Sequence, residues 1–131
     1  YIEHYLGDFE KYSKHIIKID MDNIRKYSIG KWYLYIIDEN FNLIIYDCSF
    51  NPIDILYDRL NYPKHAVLAY NSNLNVYCAG EILLKAKDNN YVSAILNNKS
   101  GHFKPDLEHL KIADKVLRKL GCRTTYIDYS K

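Results

Sequence analysis

The sequence predicts an α+β domain, an antiparallel sheet built from hairpins with one main C-terminal helix packed on it. Two pairs of strand-like runs, at 31–48 and 74–96, are each joined by a short polar turn. One segment, 106–120, repeats apolar residues near the 3.6 spacing of a helix. The length of 131 residues suits one domain, since domains commonly run about 100–200 residues. The domain is therefore drawn as 1–131, with 1–28 as a mixed N-terminal segment.

Within that segment, His15 to Ile19 reads as a short strand and Met21 to Tyr27 as a helical turn or two. Trp32 to Ile37 is a β-rich run closed by Asp38-Glu39-Asn40, and Phe41 to Cys48 returns from it, which makes a hairpin. Residues 49–64 read as a connection holding Pro52 and Pro63, with a short helix expected over 53–60. His65 to Tyr70 reads as a brief strand, followed by the turn cluster Asn71-Ser72-Asn73. Leu74 to Lys87 reads as a longer strand interrupted at Ala79-Gly80, and Tyr91 to Leu96 as its return. Asp106 is placed to cap a helix N-terminus and Gly121 to end it, and Arg123 to Tyr129 closes the chain as a strand.

Hydrophobic content of 48% and charged content of 26% are those of a globular chain. The 14 tyrosines read first as sheet packing, because a Tyr ring suits a half-buried strand while its hydroxyl reaches water or a partner. A net charge of +2 gives no basic stripe, so nucleic acid is not expected as a partner. Lys111, Lys115, Arg118 and Lys119 read as a solvated helix face. Cys48, Cys78 and Cys122 are odd in number and form no CxxC pair, so free thiols and an intracellular, cytoplasmic setting are expected. No apolar run approaches the roughly 20 residues that span a bilayer, so no membrane is expected. The opening on Tyr1 reads as a fragment or processed product. The richness in Asn, Ile, Tyr and Lys points to an AT-rich genome, including that of a large DNA virus.

Phosphate-binding loops, nucleophile elbows and zinc-ligand spacings are absent from the sequence, and no metal or cofactor is expected. The chemistry-bearing residues gather between His65 and Lys104. In Cys78-Ala79-Gly80-Glu81 an acid directly follows a glycine within a strand, where glycine signals a bulge or a close backbone approach. The plainer reading makes Glu81 a solvent-facing strand residue and His65 a hydrogen-bonded structural one. Ser100-Gly101-His102-Phe103-Lys104-Pro105 lies between a strand and a helix start. There His102 has the chemistry of a general acid or base, and Ser100 and Lys104 that of an anion site. The plainer reading has Gly101 turning the chain, Phe103 filling the core and Pro105 setting the helix entry.

These three segments, His65-Ala66-Val67-Leu68, Cys78-Ala79-Gly80-Glu81 and Ser100-Gly101-His102-Phe103-Lys104-Pro105, resemble a domain recurring in bacterial toxin- and effector-like proteins. That group carries His-Ser-Ser-hydrophobic, Ala-Ala-Gly-Glu and Ser-Gly-His-Tyr-x-Pro segments in the same order. The likeness covers roughly residues 30–125. It implies that His65, Glu81, Ser100, His102 and Lys104 are the positions to inspect, and it supplies no reaction. Ala66 and Val67 stand where the group has serines, and Phe103 where it has tyrosine, so those hydroxyls are missing here.

The leading expectation is therefore a noncatalytic binding or interaction domain of a larger viral or effector-like protein, with a protein partner or a nucleotide-like ligand. The alternative is an effector-type transferase or hydrolase with His65, Glu81 and His102 as catalytic residues and Ser100 and Lys104 as anion holders. A second alternative is a single-stranded nucleic-acid binder using Tyr rings for stacking.

Overall fold

The computed structural model describes residues 2–50, 63, 65–88, 90–100 and 103–130. The fold is α+β. Six strands form one sheet in the order β1-β3-β2-β4-β5-β6, where β1 is Ile16–Ile19, β2 Ile29–Asp38, β3 Leu43–Tyr46, β4 Val76–Lys87, β5 Tyr91–Asn97 and β6 Cys122–Ile127. The described α-helices are α1 (Leu6–Tyr12), α2 (His65–Leu68) and α3 (Leu107–Lys119).

Both expected hairpins are present. β2 and β3 pair antiparallel with Ile36 opposite Ile44, and β4 and β5 pair antiparallel with Leu84 opposite Ala94. The β2–β3 turn is held by the Asp38 carboxylate, which accepts from the backbone N–H groups of Asn40 and Asn42 at 2.9 Å each. The sheet is nevertheless mixed, because β5 and β6 run parallel, with Ala94 beside Thr124. The expectation of a purely antiparallel sheet is thus corrected, and the reason is α3. A helix between two neighbouring strands carries the chain back to the starting end of the sheet, which makes the second strand parallel to the first. Asp114, buried on α3, ties that crossover together. It accepts from Thr124 Oγ1 on β6 and from Arg118 Nε at 2.9 Å.

Alternate residues of β2 enter two different cores. Tyr33, Tyr35 and Ile37 join Ile82, Leu84 and Leu96 under the α3 residues Leu110, Ala113 and Leu117. Leu34 and Ile36 join Tyr12, Tyr46, Ala66, Val67, Leu68 and Ala79 on the opposite face, where α1 and α2 lie. Burial on both faces explains why Trp32 to Ile37 reads as a continuous apolar run and not as an alternating one. It also corrects the picture of one main helix: α3 is the longest, and the other face has helices of its own.

Two local expectations also change. His65 to Tyr70 is not a strand; α2 is followed by a 3-10 turn at Tyr70–Ser72 that ends on the left-handed Asn73 (φ 53°). A short apolar run without periodicity fits a buried strand or a buried helical turn equally well, and packing against β2 decides. β4 runs unbroken through Ala79 and Gly80, which face Ile36 and Tyr35 across the ladder. The expected helix over 53–60 falls outside the described residues. At the C-terminal side the caps are as read: Asp106 Oδ1 accepts from His109 N at 3.0 Å, and Gly121 stops α3 at φ 88°.

Candidate functional site

The His65 and Cys78–Glu81 segments meet where β5 leaves β4. The regular β4–β5 ladder ends at Ile82 opposite Leu96. Beyond it, the Asn97 side chain takes the place of the missing strand. Its Oδ1 accepts from Glu81 N at 2.9 Å and from Lys99 N at 3.0 Å, and its Nδ2 donates to Glu81 Oε1 at 3.0 Å. Two N–H donors facing one atom fix that atom as the oxygen. The Asn97 carbonyl accepts from the Tyr35 hydroxyl at 2.7 Å, with Cys78 Sγ 3.4 Å from the same hydroxyl.

Gly80 is what admits this arrangement. A Cβ added there would lie 2.1 Å from the Asn97 carbonyl oxygen, a backbone atom that cannot step aside alone. The glycine expected to mark a close backbone approach does so. From the other direction His65, the first residue of α2, donates from Nε2 to the Gly80 carbonyl at 2.8 Å. That bond requires the proton on Nε2, since a carbonyl only accepts.

Ser100 and Lys104 stand in the loop that leaves this junction. Ser100 is buried, its Oγ accepts from Phe103 N at 3.3 Å, and its carbonyl accepts from Lys104 N at 3.0 Å. Lys104 is exposed and occupies the left-handed region at φ 46°, an unfavourable backbone for a residue with a Cβ. His102 and Gly101 lie outside the described residues. Asn98, absent from the expectations, fastens the loop to the chain end: Nδ2 donates to Pro105 O at 3.1 Å and Asp128 Oδ1 at 2.8 Å, and Oδ1 accepts from Tyr129 N. The sequence places His65 and Glu81 near each other only through this junction. Its signal was the pair Asn97-Asn98 at a strand end, which reads as turn chemistry alone.

Burial raises the Cys78 thiol to about 11 and the Cys122 thiol also to about 11, so both stay protonated at neutral pH and neither is an activated nucleophile. Among the described residues, one group of three ligand-type side chains lies together, His15, Asp47 and Cys48, on the opposite side of β2 from β4 in the strand order.

A concavity lies elsewhere. Between α3 and the turn ends of β1 and β3 is an open cavity of about 550 Å³. Ile112 and Val116 of α3, with Leu120 at its C-cap, supply one wall, and Ile19, Leu43 and the stacked pair Phe41–Tyr77 supply the other. Phe41 is 52% exposed although its ring lies 4.4 Å, centroid to centroid, from Tyr77. Lys18, Lys115 and Lys119 stand at the same cavity. Its one acid, Asp20, has Oδ1 already accepting from Asp22 N and Asn23 N. Lys115 and Lys119 were read as part of a solvated helix face together with Lys111 and Arg118. The latter two do pair on the helix surface, with Glu108 and Asp114. The helix register explains the division, since residues 115 and 119 flank the stripe 112-116-120.

Among the described residues no helix is long and apolar enough to cross a membrane. Compared with known proteins, the chain matches no family model, no curated protein and no solved structure.

Proposed function

We propose that this chain is a noncatalytic binding domain, a module of a larger effector-like or viral protein, and that its ligand is an amphipathic anion. The apolar body enters between α3 and the β1–β3 end of the sheet, and the acidic group meets Lys18, Lys115 or Lys119. The observation that carries this reading is the cavity of about 550 Å³ whose walls are apolar and whose charged groups are three lysines and one engaged acid. Ligand pockets of roughly 300–1,000 Å³ with apolar walls and a few polar groups are the common form of small-molecule sites. Covering about 200 Å² of apolar ligand surface contributes about 5 kcal/mol, before the costs of association. A rim lysine adds about 1 kcal/mol or less. The body therefore sets affinity, and the lysines set the preference for an acid.

Two observations favour this reading over the others. Two of the motif side chains already have structural partners: Glu81 holds the Asn97 amide and His65 holds the Gly80 carbonyl. Tyr5, Tyr12, Tyr27, Tyr33, Tyr35 and Tyr46 are buried, so much of the tyrosine excess packs the cores and is not presented for base stacking.

The naphthalene sulfonate dye ANS, an aromatic anion, tests the proposal beside the neutral naphthylamine NPN. Saturable one-to-one ANS fluorescence is expected, weakened several-fold in Lys115→Glu/Lys119→Glu, with NPN binding unchanged. Val116→Phe, which fills the cavity, should weaken both dyes. Equal ANS binding by all variants would end the proposal. The enzyme reading keeps one observation, the approach of His65 to the residue preceding Glu81.

A further inference from the structure

The end of the β1–β3 ladder holds a group of side chains that the binding pocket does not use. Ile16 pairs with Tyr46, so the next residues outward, His15 and Asp47, stand opposite each other. The backbone bond from Asp47 N to His15 O at 2.8 Å extends the ladder to them. Cys48 follows directly. The donor atoms converge: His15 Nδ1 lies 2.8 Å from Asp47 Oδ1 and 3.9 Å from Cys48 Sγ, and Sγ lies 3.7 Å from Oδ1. All three residues are partly exposed.

A Cys-His-Asp relay does not fit this geometry. A relay needs the thiol on one ring nitrogen and the carboxylate on the other. Here the same nitrogen, Nδ1, faces both. Three donors around one point is instead the requirement of a metal. With Zn–N and Zn–O of about 2.0–2.1 Å, Zn–S of about 2.3 Å and tetrahedral angles, donor separations come to roughly 3.3 Å for N···O and 3.5–3.6 Å for pairs with sulfur. The observed separations bracket those values within about half an ångström, a shift that side-chain rotation covers. Tyr46 supports the set from behind: its ring packs edge-on against the His15 ring with centroids 5.7 Å apart.

We infer that His15 Nδ1, Asp47 Oδ1 and Cys48 Sγ form a three-ligand site for a divalent ion of the zinc class, leaving the fourth position to solvent or to a group on a partner. A mixed nitrogen, oxygen and sulfur set suits zinc or cobalt and disfavours magnesium or calcium, which take oxygen. On binding, the S–H bond of Cys48 breaks and its proton leaves to solvent, the His15 proton that faces Asp47 from Nδ1 moves to Nε2 through solvent, and the S–metal, Nδ1–metal and Oδ1–metal bonds form.

Cobalt(II) is the direct probe, added to the reduced full chain. The expected result is one equivalent bound with tetrahedral d–d bands and a thiolate-to-metal charge-transfer band, and displacement by zinc. Cys48→Ser should abolish the charge-transfer band. His15→Ala and Asp47→Ala should each weaken binding more than tenfold. Cys122→Ser should change nothing, and circular dichroism separates lost binding from lost folding. Absence of the charge-transfer band in the parent chain, or its survival in a folded Cys48→Ser, would overturn the site.

Discussion

At Gly80 a hydrogen atom stands where any other residue would place a carbon 2.1 Å from the Asn97 carbonyl oxygen. Relief requires moving β5 off β4 and with it the Tyr35–Asn97 and Glu81–Asn97 bonds. Gly80→Ala is therefore expected to cost about 1–3 kcal/mol, the usual range for forcing extra volume into a packed site, or somewhat more. Urea unfolding reads the change; an unchanged midpoint would mean that the two strands separate without cost. Of the site residues, the glycine's role was legible from its place inside a strand-like run. The roles of His65 and Glu81 were not, because their partners are a backbone carbonyl 15 residues away and a side chain 16 residues away. The His15, Asp47 and Cys48 group was equally hidden, since strand register alone brings residues about 32 positions apart together.

Among the elements, α3 was read most fully because its signals are local. Asp106 caps it, and the apolar stripe and Gly121 follow at helical spacing. Hydrogen bonds donated by His109, chiefly by its backbone N–H, hold the Asp106 carboxyl below the usual carboxylate range. A carboxyl depressed in the fold stabilises it at pH values above the ordinary carboxylate pKa, and that contribution fades as pH falls through the folded value. Asp106→Asn should keep most of the cap while flattening the acid limb of the stability curve, and Asp106→Ala should lower Tm at every pH. A steep acid limb retained in Asp106→Asn would assign it to other carboxylates. α2 was misread because four residues are too few to show a period, and the sheet face it covers lies far away in sequence. The parallel β5–β6 pair had a readable sign, a strand, a helix and a strand in succession, which two antiparallel hairpins outweighed.

For the whole molecule, burial of both sheet faces makes the thiols sensitive to alkali. Cys78 and Cys122 rise from 9.0 to about 11, with burial the first cause. Tyr35, fully enclosed, is raised well above 10 for the same reason, and then by Cys78. A raised folded-state pKa stabilises the fold fully below the unfolded value, and the contribution is lost as pH rises toward the folded one. Stability should therefore hold from pH 7 to 9 and fall between 9 and 11, with Cys78 contributing on the order of 2–3 kcal/mol. Urea midpoints of the parent and of Cys78→Ala/Cys122→Ala check this; an identical decline in both would clear the thiols. The fold class was legible in hairpins and one periodic helix. What escaped was every feature set by distance in the chain: strand order, the second helical face and the cavity between α3 and the first strands.

The junction of Gly80 and Asn97 bears on descent as well as on stability. The two positions cannot drift separately: a side chain at 80 removes the room for the 97 carbonyl, and loss of the amide at 97 strands the Glu81 N–H. In diverged relatives they should be kept together or exchanged together. A Gly-Glu pair followed at this interval by an Asn closing a strand would then mark common ancestry where overall identity has faded.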